Sequence, residues 1–167
     1  MASKIALARL IRRQRQFAER EIGIVLANVG DDLKAQHDAV VRSWEHKPQF
    51  RIKKINRPHM QTVQIVPFGI YKEIWTYVDK GTKPHIIAAK NAPFLKFRTG
   101  YSARTAPVAR ANVGTGTATG QWVQKTEVQH PGNEARKFTE TFLKDIDPPL
   151  DERIQAAIQR GYDKANK

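Results

Sequence analysis

Histidine is the residue type in this chain best suited to metal binding or proton transfer. The five histidines are His37, His46, His59, His85 and His130. No two have the His-x3-His or His-Glu-x-x-His spacing that places both rings on one zinc ion. His85 and His130 both lie in predicted turns, and they could meet either as a metal pair or as rings that each bond to a turn carbonyl. We favour the second interpretation, so the sequence predicts no metal site and no cofactor.

Other catalytic patterns are also missing from the sequence. The glycine-rich run 114–120 lacks the Gly-Lys-Ser/Thr ending of a phosphate-binding loop. Glu45, His46 and Asp79 offer an acid–base pair only if the fold joins them, and no nucleophile stands nearby. The chain has no cysteine, which excludes disulfides and thiol catalysis. An enzyme such as a nuclease or an RNA-cleaving toxin needs an acid, a base and a cation in one pocket, so we predict that the protein is not an enzyme.

Positive charge is the clearest chemical property of the chain. It has 29 Lys and Arg against 16 Asp and Glu, a formal net charge of +13. Residues 1–133 hold the whole surplus, whereas residues 134–167 are neutral. This distribution predicts that the basic part of the chain binds a polyanion and that the neutral C-terminal part binds a protein partner. The alternative is that the charged residues only keep the protein soluble. The candidate DNA-facing residues are Arg9, Arg12, Arg13, Arg15, Lys53, Lys54 and Arg57.

The length of 167 residues fits a single domain, residues 1–167, with a core of its own. No apolar run approaches 18 residues, so no membrane span is expected. The first twenty residues also lack the apolar region of a signal peptide. These features predict a soluble protein made in the cytoplasm.

Apolar residues in the N-terminal quarter recur at steps of three, four or seven, which is typical of one stripe of an amphipathic helix. They are Leu7, Ile11, Ala18, Ile22, Val25, Val29, Leu33, Val40 and Trp44. We therefore predict one long helix within residues 1–46, from about residue 3 to about residue 45. The helix could be kinked near Gly30, or Gly30-Asp31-Asp32 could end one helix and cap the next. Pro48 then stops the helix.

Alternating apolar and polar residues predict about five strands within residues 49–129. The predicted strands are 50–52, 62–66, 85–89, 94–98 and 122–129. The first two should pair as a hairpin with a wide loop, with Pro67 at its end, and the third and fourth should pair as a second hairpin. Between the hairpins, residues 70–78 predict a short helix that buries Trp75 in the core, with base stacking as the alternative role for Trp75.

Residues 134–165 predict two C-terminal helices, at 134–146 and 150–164. Phe138 and Phe142 lie four residues apart on the first, and Pro148–Pro149 should form a sharp elbow between the two. The predicted fold class is therefore α+β: a small antiparallel sheet of about five strands, a long N-terminal helix and two C-terminal helices.

Two short motifs are expected to organise this fold. In residues 78–90 an apolar run ends in Lys-Gly-Thr, where Gly81 can take a positive φ, and Pro84 then directs the chain into a strand. The sequence Val-Gln-His-Pro-Gly at 128–132 repeats this chemistry ahead of a helix. Both patterns are typical of turns that connect secondary-structure elements in a fixed geometry, and not of catalytic centres.

The pattern Val-x-x-Gly-Thr-x-Pro-His-x-Ile-x-Ala-Lys, then an aromatic strand, Val-x-His-Pro-Gly and a later phenylalanine, resembles the tail-completion (head–tail joining, minor tail component) family of tailed bacteriophages. The resemblance covers residues 75–142, while the terminal helices match only in general character. Residues 98–121 are longer and richer in small residues than the family leads us to expect, so nothing is transferred to them. The motif-turn and subunit-interface residues that the resemblance implies are Gly81, Thr82, Pro84, His85, His130, Pro131 and Gly132.

The resemblance implies a structural virion protein, assembled in the host cytoplasm, that completes the tail and joins it to the head. Its copies should form a ring of six at the neck, in contact with other neck and tail proteins. DNA passing through the ring should touch the basic residues without sequence specificity. Charge alone also predicts an alternative, a stand-alone non-specific nucleic-acid-binding protein that acts as a monomer through a basic groove with exposed aromatic residues.

Residues 98–120 are rich in glycine, threonine and alanine, which predicts a mobile loop in the isolated subunit. Such a loop should become ordered only against a neighbouring subunit or neck protein, because it has little apolar surface to offset its conformational entropy. The residues predicted to make those contacts are Arg98, Tyr101, Arg104, Val108 and Arg110.

Overall fold

The computed structural model describes residues 2–57, 60–102 and 117–167. Its elements are α1 (Ala2–Val41), β1 (Gln49–Arg57), β2 (Met60–Phe68), α2 (Lys72–Lys80), β3 (His85–Ala88), β4 (Leu95–Arg98), β5 (Tyr101–Ser102), β6 (Thr117–Ala118), β7 (Trp122–Lys125), β8 (Glu127–His130) and α3 (Phe138–Ala165). The mixed helix-and-strand architecture, with a long N-terminal helix and small antiparallel sheets, is confirmed. The single sheet of about five strands is not: the described strands form two-stranded sheets, namely β1–β2, β3–β8, β4–β7 and β5–β6.

The chain folds as two compact units. The first contains Met1–Ala35, Arg51–Val66 and Phe142–Lys167, and the second contains Gln36–Phe50 and Pro67–Thr141. The long helices α1 and α3 contribute residues to both units. Each unit has buried side chains of its own.

In the first unit, α1 and α3 approach each other through small residues. A Cβ placed on Gly161 would lie 2.5 Å from the Cα of Ala18. Ala157 and Ala165, one helical turn to either side of Gly161, are buried. Steps of four residues place all three on one face of α3. This stripe of small side chains allows the two helix backbones to touch.

Glu21 is buried in the first unit and is paired with two cations of α3. Lys164 Nζ donates to Glu21 Oε1 at 2.6 Å, and Arg160 Nε donates to Oε2 at 3.3 Å. The hydrogen bond from Lys164, aided by Arg160, lowers the pKa of Glu21 despite the burial that would raise it. The pairing therefore stabilises the fold above the ordinary pKa of a glutamate, and this contribution is lost as the pH falls through the lowered pKa.

Gly30 does not end α1, which continues through it to Val41. A Cβ on Gly30 would lie 2.7 Å from Val63 Cγ1 and 3.3 Å from Ile52 Cγ2, both on the β1–β2 hairpin. The glycine therefore permits the close approach of the hairpin to the helix.

The first predicted hairpin is present, and both of its strands are longer than expected. Pro67 lies inside β2 instead of ending it. In a two-stranded sheet every strand is an edge, so a proline is tolerated where its missing N–H faces away from the partner strand. Lys53, Lys54 and Arg57 accordingly lie on β1 and are exposed.

Trp75 is buried at the centre of the second unit, as predicted. Its ring centroid lies 5.0 Å from that of His37, 4.9 Å from Phe50 and 5.8 Å from Phe138. Aromatic pairs at such distances contribute about 0.5–1.5 kcal/mol each beyond their buried area. The cluster joins four elements, because its rings come from α1, α2, β1 and α3.

The last helix begins at Phe138 instead of near residue 134, because the residues before it bond to α2. The Lys137 amide donates to the Asp79 carbonyl at 3.0 Å, and Lys137 has a φ of +57°, outside the helical region. The buried Asp79 carboxylate also accepts the Thr139 amide at 3.0 Å. A side chain at the end of α2 therefore caps the first turn of α3.

The elbow predicted at Pro148–Pro149 is wrong, since α3 contains both prolines and runs without a break over Phe138–Ala165. A proline inside a helix removes a hydrogen bond and costs about 3 kcal/mol. Phe142 before the prolines and Ala157 after them are both buried. Burial on both sides offsets the cost of the prolines and keeps the helix in one piece.

The second predicted hairpin is also wrong, because β3 and β4 do not pair with each other. β3 pairs antiparallel with β8, and β4 pairs antiparallel with β7. The predicted strand 122–129 is interrupted at Thr126, whose carbonyl accepts the Ala89 amide at 3.0 Å. Residues 90–94 bulge out of the ladder between β3 and β4, since the register shifts there. Local alternation does not reveal partners this far along the chain.

The three pairs β3–β8, β4–β7 and β5–β6 follow one another along two antiparallel segments, 82–102 and 117–133, which we call the β-ribbon. The Thr99 amide donates to the Gln121 carbonyl at 3.1 Å and joins the second pair to the third. Both ends of the predicted mobile loop 98–120 are therefore strands. Its middle, residues 103–116, lies outside the described residues.

Candidate functional site

The two sequence motifs meet at one end of the β-ribbon. The Thr82 amide donates to the Asn133 carbonyl at 2.9 Å, and the Asn133 amide donates to the Thr82 carbonyl at 3.1 Å and to its Oγ1 at 2.9 Å. We call residues 81–85 and 130–133 the clasp. It contains every residue predicted for the motif turns: Gly81, Thr82, Pro84, His85, His130, Pro131 and Gly132.

Glycine is required at two positions of the clasp. Gly81 has φ +75° and ψ 175°, a combination open essentially only to glycine, and Gly132 has φ +87°. A Cβ on Gly81 would lie 2.6 Å from the carbonyl oxygen of Asn133, and one on Gly132 would overlap the carbonyl oxygen of Thr82. Each motif glycine therefore leaves room for the backbone of the other motif. The positive φ predicted at Gly81 is confirmed.

Each histidine of the clasp bonds to the backbone of its own turn. His85 Nδ1 lies 2.8 Å from the Lys83 carbonyl oxygen, so this nitrogen carries the proton and donates it. His130 Nδ1 accepts the Gly132 amide at 3.0 Å, so this nitrogen carries none. The predicted bond to a turn carbonyl is thus confirmed for His85 and wrong for His130, where the Gly132 amide points back at the ring.

The two histidine rings also meet, with centroids 5.0 Å apart and an interplanar angle of 33°. His85 and His130 are register partners at the first step of β3 and β8, which explains the contact. Within the described part of the chain, no group of three or more His, Asp or Glu side chains is placed to hold a metal ion. Because each ring bonds to its own turn and the two rings are in contact, the histidines help to fix the two turns against each other.

An exposed tryptophan with two cations over its ring lies farther along the β-ribbon. Trp122 is 63% exposed, and the Lys96 Nζ and Arg98 Cζ atoms lie 5.5 Å and 6.0 Å from its ring centroid. Arg98 is the register partner of Trp122, and its Nε donates to the Gly120 carbonyl at 3.1 Å. We call Lys96, Arg98 and Trp122 the Trp122 patch. It combines apolar area with two positive charges.

An apolar groove of about 490 Å³ also lies on the β-ribbon, and its lining includes Ile87, Leu95, Phe97, Val128 and His130 together with Lys96 and Arg98 of the Trp122 patch. Leu95 and Phe97 alternate along β4 with the cations of the Trp122 patch, as side chains of a strand do. Each strand of a two-stranded ribbon has one unpaired edge. Open edges beside apolar surface are typical of a binding surface.

The four arginines of α1 that are predicted to face DNA are all exposed. Arg15 Nε donates to Glu19 Oε1 at 2.7 Å, and the guanidinium of Arg13 lies 5.7 Å from the Phe17 ring centroid. Exposed pairs of this kind contribute little to stability. The arginines are therefore suited to contacts with a ligand.

The same end of α1 exposes apolar side chains, which the sequence analysis did not expect. Leu7 and Ile11, which lie on the predicted apolar stripe, are 58% and 55% exposed, and Ile5 is exposed as well. The stripe becomes buried only from Ala18 onward. This end of α1 therefore combines exposed positive charge with exposed apolar area.

Changing Arg9, Arg12, Arg13 and Arg15 together to glutamate is expected to leave the melting temperature nearly unchanged, because exposed charges add little stability. Affinity for duplex DNA should fall, and the plot of log K against log salt should flatten by about one unit for each phosphate that the variant no longer neutralises. Fluorescence anisotropy across a salt series measures both quantities.

A matched control reverses the same number of exposed charges outside the candidate set, namely Lys47, Lys72, Lys80 and Lys90. This control should keep most of the salt slope. Equal flattening in the two variants would show that net charge alone governs binding. An unchanged slope in the arginine variant would place the α1 cluster away from any phosphate.

The residues predicted to contact a partner through the loop fall into two groups. Arg98 lies in β4 and Tyr101 begins β5. The others lie outside the described residues, namely Arg104, Val108 and Arg110. Lys96 and Trp122 were not among the residues predicted from the sequence, although the alternation Leu-Lys-Phe-Arg at 95–98 already places Lys96 beside Arg98 on one side of a strand.

Among the residues that the structure describes, no helix has an apolar stretch long enough to cross a bilayer. Comparison with protein-family models, with curated proteins and with solved structures finds no match to this chain. The features that bear on function are therefore the chain's own: the clasp, the β-ribbon with its Trp122 patch, and the basic end of α1.

Proposed function

We propose that this protein is a structural virion protein of a tailed bacteriophage that completes the tail and joins it to the head, as one subunit of a ring through which DNA passes. The clasp is the observation that carries the proposal. The two motifs behind the resemblance to the tail-completion family lie far apart in sequence, yet Thr82 and Asn133 bond directly. Gly81 and Gly132 each fit against the other motif. This contact supports the interpretation that the two motifs form one structural unit, as the resemblance implies.

The β-ribbon supports the assembly part of the proposal. A two-stranded ribbon is marginally stable alone in water, and its open edges pair readily with other chains. Ile86 and Trp122 on this ribbon are 62% and 63% exposed. Other copies of the chain, together with neck and tail proteins, are the proposed partners that cover this surface.

The proposed mechanism is geometric and involves no catalysis. The clasp fixes the base of the β-ribbon, and the ribbon docks on neighbouring subunits. The net charge of +13 then allows DNA to pass in contact with the ring. Contacts between lysine or arginine and phosphate carry no sequence information and weaken as salt rises.

The Trp122 patch favours a second candidate function, a stand-alone nucleic-acid-binding protein. An exposed aromatic ring beside cations suits single-stranded nucleic acid, whose bases stack on the ring while its phosphates meet the charges. The two candidates differ in assembly, because the second acts as a monomer.

Native mass spectrometry and electron microscopy of the purified protein test the proposal. A ring should appear at six times the subunit mass of 19.0 kDa, with a central channel, and should bind the end of isolated tail tubes. A protein that stays monomeric at every concentration and binds single-stranded DNA tightly would overturn the proposal in favour of the second candidate.

A further inference from the structure

We infer that, in the ring proposed above, the Trp122 patch of one copy binds the acidic part of α3, residues 143–152, of the next copy. The inference rests on the proposed function and names the two surfaces that join neighbouring subunits. The occupant of the patch is therefore a second copy of this chain.

The Trp122 patch needs a partner with both negative charge and apolar area. Lys96 and Arg98 lie two residues apart on β4 with their charges over one ring, so they repel each other in the free subunit. The ring of Trp122 remains largely exposed beside them. The segments 82–102 and 117–133 together carry five basic residues and one acidic residue, which strengthens the positive field.

The acidic part of α3 has the complementary composition. Residues 143–152 hold four acidic residues and one basic residue, in a chain with a net charge of +13. Leu143, Asp147 and Asp151 follow each other at steps of four, so they share one face of the helix. All three are exposed, and Leu143 is 52% exposed. One apolar side chain and two carboxylates are therefore presented in a row.

The spacings of the two surfaces also agree. Side chains four residues apart on a helix have Cβ atoms about 5–6 Å apart. Side chains two residues apart on a strand are separated by about 6.6 Å. Asp147 and Asp151 can therefore meet Lys96 and Arg98 pairwise, which leaves Leu143 to contact Trp122.

The symmetry of assembly favours this pairing over other arrangements. Patch against patch, as in a two-fold dimer, would bring four cations together. Patch against α3 is a heterologous contact, in which every copy offers one surface to each neighbour. Such contacts close into rings when the rotation between subunits permits. Nucleic acid could also neutralise the charges of the Trp122 patch. The acidic part of α3 offers, in addition to negative charge, an apolar side chain and a spacing of carboxylates close to that of Lys96 and Arg98.

A charge-swap experiment on the full-length protein tests the inference. The ribbon variant carries Lys96→Glu and Arg98→Glu, and the α3 variant carries Asp147→Lys and Asp151→Lys. Each variant alone should lose the ring, with self-association weakened at least about 100-fold, because like charges then face each other at every contact. An equimolar mixture should restore the ring, since ribbon and α3 charges are again opposite wherever the two variants alternate. Native mass spectrometry should find equal numbers of both variants in it.

Two further proteins complete the design. A chain with all four substitutions should form the ring by itself, which shows that the changes are compatible with folding. The matched control Lys47→Glu with Lys72→Glu reverses the same amount of exposed charge outside both surfaces and outside the candidate DNA-facing set, and should assemble normally.

The outcomes separate the inference from the proposed function. Wild-type protein that never forms a ring would overturn the proposed function itself. A wild-type ring that persists in both variants, or that mixing does not restore, would overturn only this interface. A ribbon variant that keeps its ring but loses DNA binding would identify the Trp122 patch as a nucleic-acid site, and would also overturn the inference.

Discussion

Gly132→Ala is expected to prevent the clasp from closing and to abolish formation of the proposed ring. The added Cβ would overlap the carbonyl oxygen of Thr82 and lie 2.9 Å from the carbonyl carbon of Lys83, and both are backbone atoms that cannot rotate away. A side chain at a φ of +87° adds about 1–2 kcal/mol of strain. Strain and overlap together should lower the free energy of unfolding by about 3 kcal/mol or more.

Gly69 provides the matched control for this change. Its φ of +81° is nearly that of Gly132, but a Cβ there would meet nothing within 4 Å. Gly69→Ala therefore isolates the strain and should cost only about 1–2 kcal/mol. Urea unfolding measures both variants, and native mass spectrometry then shows which of them still assembles. Equal destabilisation by Gly132→Ala and Gly69→Ala would mean that the close approach of the two motifs contributes nothing.

The clasp could be predicted in part because its chemistry is local. Gly81 and Pro84 restrict the backbone by themselves, so the positive φ and the strand that follows are both visible in the sequence. The contact between the motifs is not local, because it depends on the register that places His85 opposite His130. The sequence indicated that these rings could meet, and the structure specifies which ring nitrogen donates and which accepts.

The errors in strand pairing and helix ends have a different physical cause. Alternation of apolar and polar residues predicts that β3 and β4 are strands, but it does not predict which strands they pair with. In the structure β3 pairs with β8 and β4 pairs with β7, so neither strand pairs with its neighbour in sequence. Pro148–Pro149 has a strong local preference against a continuous helix, yet burial on both sides outweighs it. In both cases tertiary contacts decide between local options.

The Trp122 patch was missed for a related reason. Lys96 and Arg98 were recognisable as neighbours on one face of a strand, but Trp122 joins them only through the register of β4 with β7. The α1 arginines were found from sequence because they lie close together along the chain. Leu7 and Ile11 belong to the predicted apolar stripe, yet both are exposed. Periodicity shows that a helix has an apolar stripe, but it does not show which part of that stripe other elements cover.

Gly161→Leu is expected to force α1 and α3 apart and to unfold the first unit. Even a Cβ at this position would lie 2.5 Å from the backbone nitrogen and Cα of Ala18 and 2.9 Å from the carbonyl carbon of Phe17. These are backbone atoms of a helix, so the whole helix must shift. The shift would also draw Arg160 and Lys164 away from Glu21 and leave a buried carboxylate without its cations.

Gly161→Ala tests the same close approach of the two helix backbones with a smaller side chain. Alanine is favoured over glycine inside a helix by about 1 kcal/mol, yet this variant should be destabilised by at least about 2 kcal/mol because of the close backbone approach. Gly23→Ala in α1 is the matched control: its Cβ would meet only the end of the Gln61 side chain, at 3.2 Å. The Gln61 amide donates to the Glu19 carbonyl at 2.9 Å, so its side-chain oxygen can move only slightly, and the small steric cost should roughly cancel the gain in helix propensity. Urea unfolding should therefore show little change for Gly23→Ala and a clear loss of stability for Gly161→Ala, and equal shifts in the two variants would show that α1 and α3 do not touch at Gly161.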